Sequence, residues 1–196
     1  MKQLDYLLDF FRTVQRVLKI KDSVAVSLLS GFLGTSVMGV ANPLFWRSGK
    51  TEALYGHIAG SVFMRPFRVK QRKNFWLGQM THYITGAIVA YPLNYIFRKT
   101  GKDHYLLKGG FYGAVTWELI YGLGQRFGVY ATKLHLTKTH YAELFNNILY
   151  GLATAQALVT FSEPSMFPNK TTNREKSSIQ PIYSDINSDT ENTLVM

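Results

Sequence analysis

Polar and ionisable side chains inside uncharged stretches are the residues of this sequence best placed for chemistry. Glu118 lies near the middle of residues 109–125 and is the only charged residue there. His82 and Asn147 lie in residues 75–97 and 144–162, which contain no Asp, Glu, Lys or Arg. A carboxyl or imidazole in such a setting is a candidate proton or cation site. Hydrogen bonding between helices, for example from Glu118 to Gln79 or His82, is the structural alternative.

A second pattern, His140 and Glu143, has the spacing of metal ligands on one helix face. Two-metal helical bundles repeat such a motif on paired helices, and this sequence contains it once. No phosphate-binding loop, nucleophile elbow or zinc-protease motif is present. We therefore predict no metal, no cofactor and no catalytic residue, and a lipid-directed enzyme using His140 and Glu143 is the weakest of three hypotheses.

The stretches that hold these residues predict the fold class. Charged residues make up 17% of the 196-residue chain, against about 25% in soluble domains. A helix needs about 20 predominantly apolar residues to cross a bilayer. The uncharged or nearly uncharged stretches are 24–46, 75–97, 109–125 and 144–162. We predict an all-α integral membrane bundle of four transmembrane helices, with residues 22–162 as the membrane domain.

Small side chains recur at four-residue spacing in every predicted span. Positions four apart share a helix face, and small residues there let two membrane helices approach closely. The glycines predicted to form these contacts are Gly31, Gly39, Gly86, Gly110, Gly122 and Gly151. The pattern favours a compact bundle and leaves association between copies of the chain possible.

The regions outside the spans divide into a basic loop and two flanking segments. Residues 1–21 have apolar positions three and four apart, which predicts an amphipathic helix in the membrane interface or against the bundle. Residues 163–196 are rich in polar residues and Pro, which predicts a disordered tail. Residues 53–64 are apolar but too short to span, so they cross only with help, re-enter or lie flat.

A basic run follows this short apolar piece. Its members are Arg65, Arg68, Lys70, Arg72 and Lys73. Basic residues close to a span favour anionic lipid headgroups. We therefore predict contact with membrane lipid at this run and no binding of nucleic acid. The whole chain has a formal net charge of +10 and no cysteine, so it has no disulfide and no thiolate metal site.

The middle of the chain carries a family resemblance. The segments GQMTHYITGAIVAYPLNYIF, RKTGKDHYLLK and GGFYGAVTWELIYGLG follow one another between residues 78 and 124. The region that contains them, residues 75–161, resembles the YagU-like group of small multi-span bacterial inner-membrane proteins. The resemblance implies a multi-pass protein of the bacterial cytoplasmic membrane and carries over no functional residue.

Two functional hypotheses follow from these patterns. In the first, the protein is a structural or accessory membrane protein that acts through helix packing or lipid contact. In the second, it is a small proton-linked transporter or channel that uses Glu118 and His82. The surroundings of Glu118, whether a wet cavity or a dry helix contact, discriminate between them.

Overall fold

The described part of the chain is helical. The structure, a computed structural model, describes residues 19–69, 71–132 and 134–168. Within these ranges no β-strand is present, apart from an isolated parallel bridge between Ile20 and Ser162. The all-α prediction is confirmed. Residues 1–18 and 169–196, which include most of the predicted amphipathic helix and tail, lie outside the described residues.

Each predicted span falls on a helix. The elements are α1 (Ser23–Arg47), α2 (Tyr55–Gly60), α3 (Pro66–Val69), α4 (Arg72–Thr100), α5 (Tyr105–Thr116), a π-helix (Trp117–Gly122), α6 (Leu123–Arg126) and α7 (Thr137–Phe161). Helix α7 begins before the predicted span 144–162. Its first turns are polar, so a prediction from the absence of charge did not include them. The Asp22 carboxylate caps α1 by accepting hydrogen bonds from the N–H groups of Val24 and Ala25, at 2.6 and 2.9 Å.

The long helices pack side by side in the order α4, α1, α7, α5, and α2 packs on α4. Glycine lets the backbones meet at two of these crossings. A Cβ atom at Gly31 would lie 2.5 Å from the Gly86 carbonyl oxygen, so α1 and α4 touch there. A Cβ atom at Gly109 would lie 2.6 Å from the Gly151 carbonyl oxygen, where α5 meets α7. Neither position can accept a larger residue without moving a helix.

The other glycines predicted for packing have looser surroundings. A Cβ atom at Gly39 would meet only the Tyr83 ring, and one at Gly110 would be in ordinary contact with Leu152. Gly122 faces the Glu118 side chain of its own helical segment. The role predicted for Gly122 in helix packing stays a prediction.

The short apolar piece 53–64 folds against the bundle. Helix α2 has six residues, which is about 9 Å of helix and too short to cross a bilayer. Asn42 of α1 anchors its start: Asn42 Nδ2 donates to the Ala53 carbonyl at 3.3 Å, and the Tyr55 N–H donates to Asn42 Oδ1 at 3.1 Å. Gly56 and Gly60 of α2 then lie close to Gly78 of α4.

Two hydrophobic clusters occupy opposite ends of the antiparallel helices. We call the first the paired end; it contains Val26, Leu93, Phe97, Ala155, Leu158 and Phe167. We call the second the cavity end; it contains Met38, Ala53, Tyr55, Ile58, Tyr121, Leu134 and Tyr150. At the paired end the Ile20 N–H donates to the Phe161 carbonyl at 2.9 Å.

The first residues of the predicted tail belong to the paired end. Pro164–Met166 form a short 3-10 helix. The ring of Phe167 is buried and packs edge-on against Phe97, with centroids 6.0 Å apart. Residues 163–168 are therefore ordered against the bundle, which corrects the predicted start of the tail at residue 163.

One helix among the described residues, Ser23–Arg47, is long and apolar enough to cross a membrane by length and composition. The other helices do not satisfy both conditions. The four predicted spans therefore coincide with helical segments in the structure. One of these helices also has the length and composition of a membrane span.

Candidate functional site

A small cavity lies inside the cavity end of the bundle. Its volume is about 120 Å³, enough to hold several water molecules. Polar and aromatic side chains line much of it: Tyr55, His82, Tyr121, Tyr130, Glu143 and Asn147. A neighbouring hollow of about 70 Å³ shares His82 and Asn147 with it. The structure therefore brings together two of the three polar residues singled out from the sequence.

Glu143 is the acidic residue of the cavity wall. It is fully buried, at 0% exposure, and lies in the second turn of α7. The Thr51 hydroxyl donates to Glu143 Oε1 at 3.0 Å, whereas Oε2 has no hydrogen-bond partner among the described residues. No ion pair to Glu143 is formed among the described residues. A buried carboxylate without a cation or a full set of hydrogen-bond donors is costly in free energy. The described residues therefore leave an ionised Glu143 without a counter-charge.

Tyr55 and Asn146 surround the free side of that carboxyl. The Tyr55 hydroxyl lies beside the Glu143 carboxyl and the Asn146 amide, although none of these contacts has standard hydrogen-bond geometry. Asn146 is fully buried with neither amide atom paired. Burial and the neighbouring Glu143 carboxyl raise the pKa of Tyr55, which therefore remains a neutral hydroxyl donor. The cavity end thus concentrates unused hydrogen-bonding capacity.

His82 reaches the same place from α4. Its ring stacks on the Tyr55 ring, with centroids 4.4 Å apart and planes inclined by 16°. Its Nε2 atom is buried and has no hydrogen-bond partner in the described part of the chain. The close approach of α2 to α4 at Gly78 holds the two rings together. His82 is thus positioned by packing, and its ring nitrogen is not engaged by a protein group.

The π-helix places Tyr121 on the opposite wall. Single π-helical turns widen a helix and are frequent at functional sites. The Tyr121 hydroxyl lies 3.3 Å from His140 Nδ1, which joins the π-helix to α7. His140 is therefore a partner of Tyr121, and Glu143 is a partner of Thr51. No group of three or more metal-ligating side chains occurs among the described residues.

Glu52 fixes the position of the loop that carries Thr51. Its Oε2 accepts hydrogen bonds from the His135 N–H at 2.9 Å, the Leu136 N–H at 3.0 Å and the Thr139 hydroxyl at 3.1 Å. The carboxylate thereby caps the N-terminus of α7, where negative charge is favourable. Slight burial opposes ionisation, but the backbone and hydroxyl donors outweigh it and lower the pKa of Glu52.

Glu118 lies outside this cavity. Its carboxylate is 3.2 Å from the Arg126 guanidinium, two turns further along the same helical run, and its side chain is 40% exposed. In the described part of the chain it forms no hydrogen bond to Gln79 or His82, the partners named in the structural alternative. Glu118 belongs to the π-helix, and its carboxylate pairs with Arg126 instead of entering the cavity.

The basic run lies on the surface near the cavity end. Arg65, Arg68, Arg72 and Lys73 are exposed, and Lys70 lies outside the described residues. Two exposed aromatic residues, Phe63 and Phe67, lie among them, at 69% and 64% exposure. Mixed basic and aromatic surfaces of this kind are typical of a membrane–water interface.

Sequence reasoning found His82 and Asn147 but missed the role of Glu143. In the sequence, Glu143 is visible only as an acidic residue next to an uncharged stretch, three positions after His140. From that spacing we interpreted the two residues as a possible pair of metal ligands. Its partners come from the loop before α2, and Thr51 is 92 residues away. Such a contact has no local signature.

The fold and the site together define the class of this protein: an all-helical bundle with a small polar cavity at one end. No family model matches the chain, and no curated protein or solved structure has significant similarity to it. The resemblance to the YagU-like group stays a prediction.

Proposed function

We propose that four helical segments cross a bilayer, namely α1, α4, the continuous run of α5, the π-helix and α6, and α7, and that the protein is a multi-pass membrane protein. The observation that carries this proposal is the distribution of polarity across the helices. The large apolar and aromatic side chains exposed along α4 include Trp76, Leu77, Met80, Ile84, Ile88, Tyr91 and Tyr95. They form an apolar face several turns long, and a contiguous exposed apolar surface of this kind favours contact with lipid.

The interior supports the same proposal. Fully buried polar residues occur on three of the long helices, for example Thr35 on α1, Asn94 on α4 and Asn146 on α7. Soluble domains usually concentrate apolar residues inside. Membrane helices associate through small residues and interhelical hydrogen bonds instead. The glycine crossings and the bond from the Tyr150 hydroxyl to the Gly86 carbonyl, at 2.6 Å, fit that pattern.

Labelling tests the number of crossings, because the chain has no native cysteine. Single variants Ser48→Cys, Lys102→Cys and Val129→Cys place one thiol in each connection between the long helices. With four spans, a membrane-impermeant maleimide should label positions 48 and 129 from one side and position 102 from the other. Release of the protein by carbonate washing, or labelling of all three positions from one side, would contradict the proposal.

Within this class, we infer a structural or accessory role as the main function. The interfacial surface formed by Arg65, Arg68, Arg72 and Lys73 with Phe63 and Phe67 suits anionic lipid. Replacing the four basic residues by Gln should reduce binding of the detergent-solubilised protein to vesicles containing phosphatidylglycerol. Vesicles of phosphatidylcholine alone provide the control, and equal binding to both would exclude headgroup recognition at this surface.

The cavity favours a second candidate, proton-linked transport or conduction. His82 lines it with an unpaired ring nitrogen, and Glu143 contributes an unpaired carboxyl oxygen. In this candidate, Glu143 therefore has the proton-carrying role that the sequence analysis gave to Glu118. Proteoliposomes with an imposed pH gradient give the test: Glu143→Gln should abolish a proton flux that Glu118→Gln leaves intact. Absence of flux above protein-free liposomes for the folded wild-type protein would leave the accessory role.

A further inference from the structure

We propose that the cavity at the cavity end binds a small organic ammonium ion, with the Glu143 carboxylate as its counter-charge. The inference depends on the cavity alone and goes beyond both candidate functions above. It concerns the chemistry of a ligand, and neither lipid contact nor proton transfer specifies one.

The charge of the walls indicates the charge of the ligand. Among the residues that line the cavity, Glu143 is acidic and none is Lys or Arg. Its Oε2 atom is buried and finds no hydrogen-bond partner within residues 19–69, 71–132 and 134–168. Burial of one unpaired carboxylate costs several kcal/mol, so the carboxyl takes up a proton unless a cation beside it stabilises the ionised form. A bound ammonium ion would provide that charge, whereas an anion would be repelled.

The remaining walls favour an organic cation over a metal ion. Three tyrosines and one histidine line the cavity: Tyr55, Tyr121, Tyr130 and His82. Aromatic groups attract ammonium ions, and such surroundings are a recurring solution for methylated ammonium groups. A metal ion would require several hard or nitrogen ligands. No group of three or more His, Cys, Asp or Glu side chains that could hold a metal ion exists in the described part of the chain.

The rest of the lining has the character of a ligand pocket. Met38, Ile58 and Val62 supply apolar surface beside the polar groups, the usual composition of a small-molecule site. Two lining residues, Val62 and Ile120, are exposed. The cavity therefore reaches the surface between the turn that follows α2 and the π-helix. Its volume of about 120 Å³ restricts the ligand to a compact group.

Tetramethylammonium chloride is the appropriate probe, and tert-butanol is a neutral molecule of similar shape. The full chain, purified in detergent, is titrated with each while the probe methyl resonance is followed by NMR. We expect saturable binding of tetramethylammonium and at least about tenfold weaker binding of tert-butanol, which corresponds to about 1.4 kcal/mol. Potassium chloride at the same ionic strength should not compete.

Two glutamine variants locate the site. Glu143→Gln retains an oxygen that accepts from Thr51 but removes the charge, and it should weaken tetramethylammonium binding about tenfold or more. Glu118→Gln makes the same change outside the cavity and should bind like wild type. Folding of each variant is checked by circular dichroism and gel filtration.

Several outcomes would overturn the proposal. Equal binding of tert-butanol and tetramethylammonium to the wild-type protein would show an apolar hollow without charge recognition, and this comparison needs no variant. Competition by potassium would show a general ionic effect. Wild-type affinity in folded Glu143→Gln, or no saturable binding by the folded wild-type protein, would equally exclude the site.

Discussion

The two ends of the bundle differ in how their buried polar residues are paired. At the paired end, Asn94 Nδ2 donates to Ser27 Oγ at 2.8 Å and to two oxygens of Ser23, each at 3.0 Å. These bonds join α4 to α1, although the Asn94 carbonyl oxygen itself has no partner. At the cavity end, Glu143 and Asn146 retain unpaired atoms next to an internal space.

This difference separates residues that hold the helices together from residues available to a ligand. A paired buried donor contributes to stability, and its removal leaves its acceptors unsatisfied. An unpaired buried group is destabilising in the absence of a ligand. Proteins retain such groups where function requires them at the expense of stability. The cavity end therefore has the energetic character of a binding site.

The largest expected effect is at the glycine crossing that supports both ends. Gly109→Ala would place a Cβ atom 2.5 Å from Ala155 Cβ and should lower the free energy of unfolding by about 3 kcal/mol. Its neighbour provides a matched control, because Gly110→Ala makes only an ordinary contact with Leu152 at 3.5 Å. That variant should be neutral or slightly stabilising by helix propensity. Thermal unfolding in detergent measures both, and equal stability of the two variants would contradict the observed crossing.

A smaller loss is expected from the segment that closes the paired end. Phe167→Ala removes a ring that is 6% exposed and packs on Phe97. We expect a loss of about 2–3 kcal/mol, at the low end for buried aromatic residues because the site lies at the edge of the bundle. Ser165→Ala changes an exposed residue of the same segment and should have little effect. If the two variants melt alike, residues 163–168 do not contribute to this end.

A pair of identical substitutions tests the comparison directly. Asn94→Leu removes the donor shared by Ser23 and Ser27 and should destabilise by about 2 kcal/mol. Asn146→Leu replaces an amide without partners by an apolar side chain of similar size, and should be neutral or stabilising by about 1 kcal/mol. Chemical denaturation in detergent gives both values. Equal destabilisation would show that the amide of Asn146 is paired in solution, for example by water in the cavity.

Much of the fold could be predicted from the sequence because the long helices have a composition signal. The absence of charge placed 24–46 and 75–97 on helices that the structure gives as Ser23–Arg47 and Arg72–Thr100. The glycine crossings at Gly31 and Gly151 follow from four-residue spacing within one helix. Such patterns are local, so a single sequence contains them.

The site was only partly predictable because its assembly is not local. His82 and Asn147 could be chosen as polar residues in uncharged stretches, and both line the cavity. Glu143 gained its role from Thr51 and Tyr55, which arrive through a loop. Glu118 lies in the π-helix and pairs with Arg126 outside the cavity, and no residue pattern in the sequence marks either feature.

The smallest expected effect concerns Glu52, which fixes the loop beside the cavity. Its donors lower its pKa, so the folded state favours the ionised form. This contribution to stability is complete above the ordinary pKa of Glu, about 4.3, and is lost as the pH falls through the lowered value of the folded state. Glu52→Gln should therefore unfold at a lower temperature than wild type at pH 7. The loss in free energy of unfolding should be less than about 1 kcal/mol, because the side chain is exposed. The difference should persist to pH 5 and shrink below pH 4. A difference that instead grew as the pH fell would mean that the α7 cap does not depend on the Glu52 charge, and that the loop at the cavity end is held by other contacts.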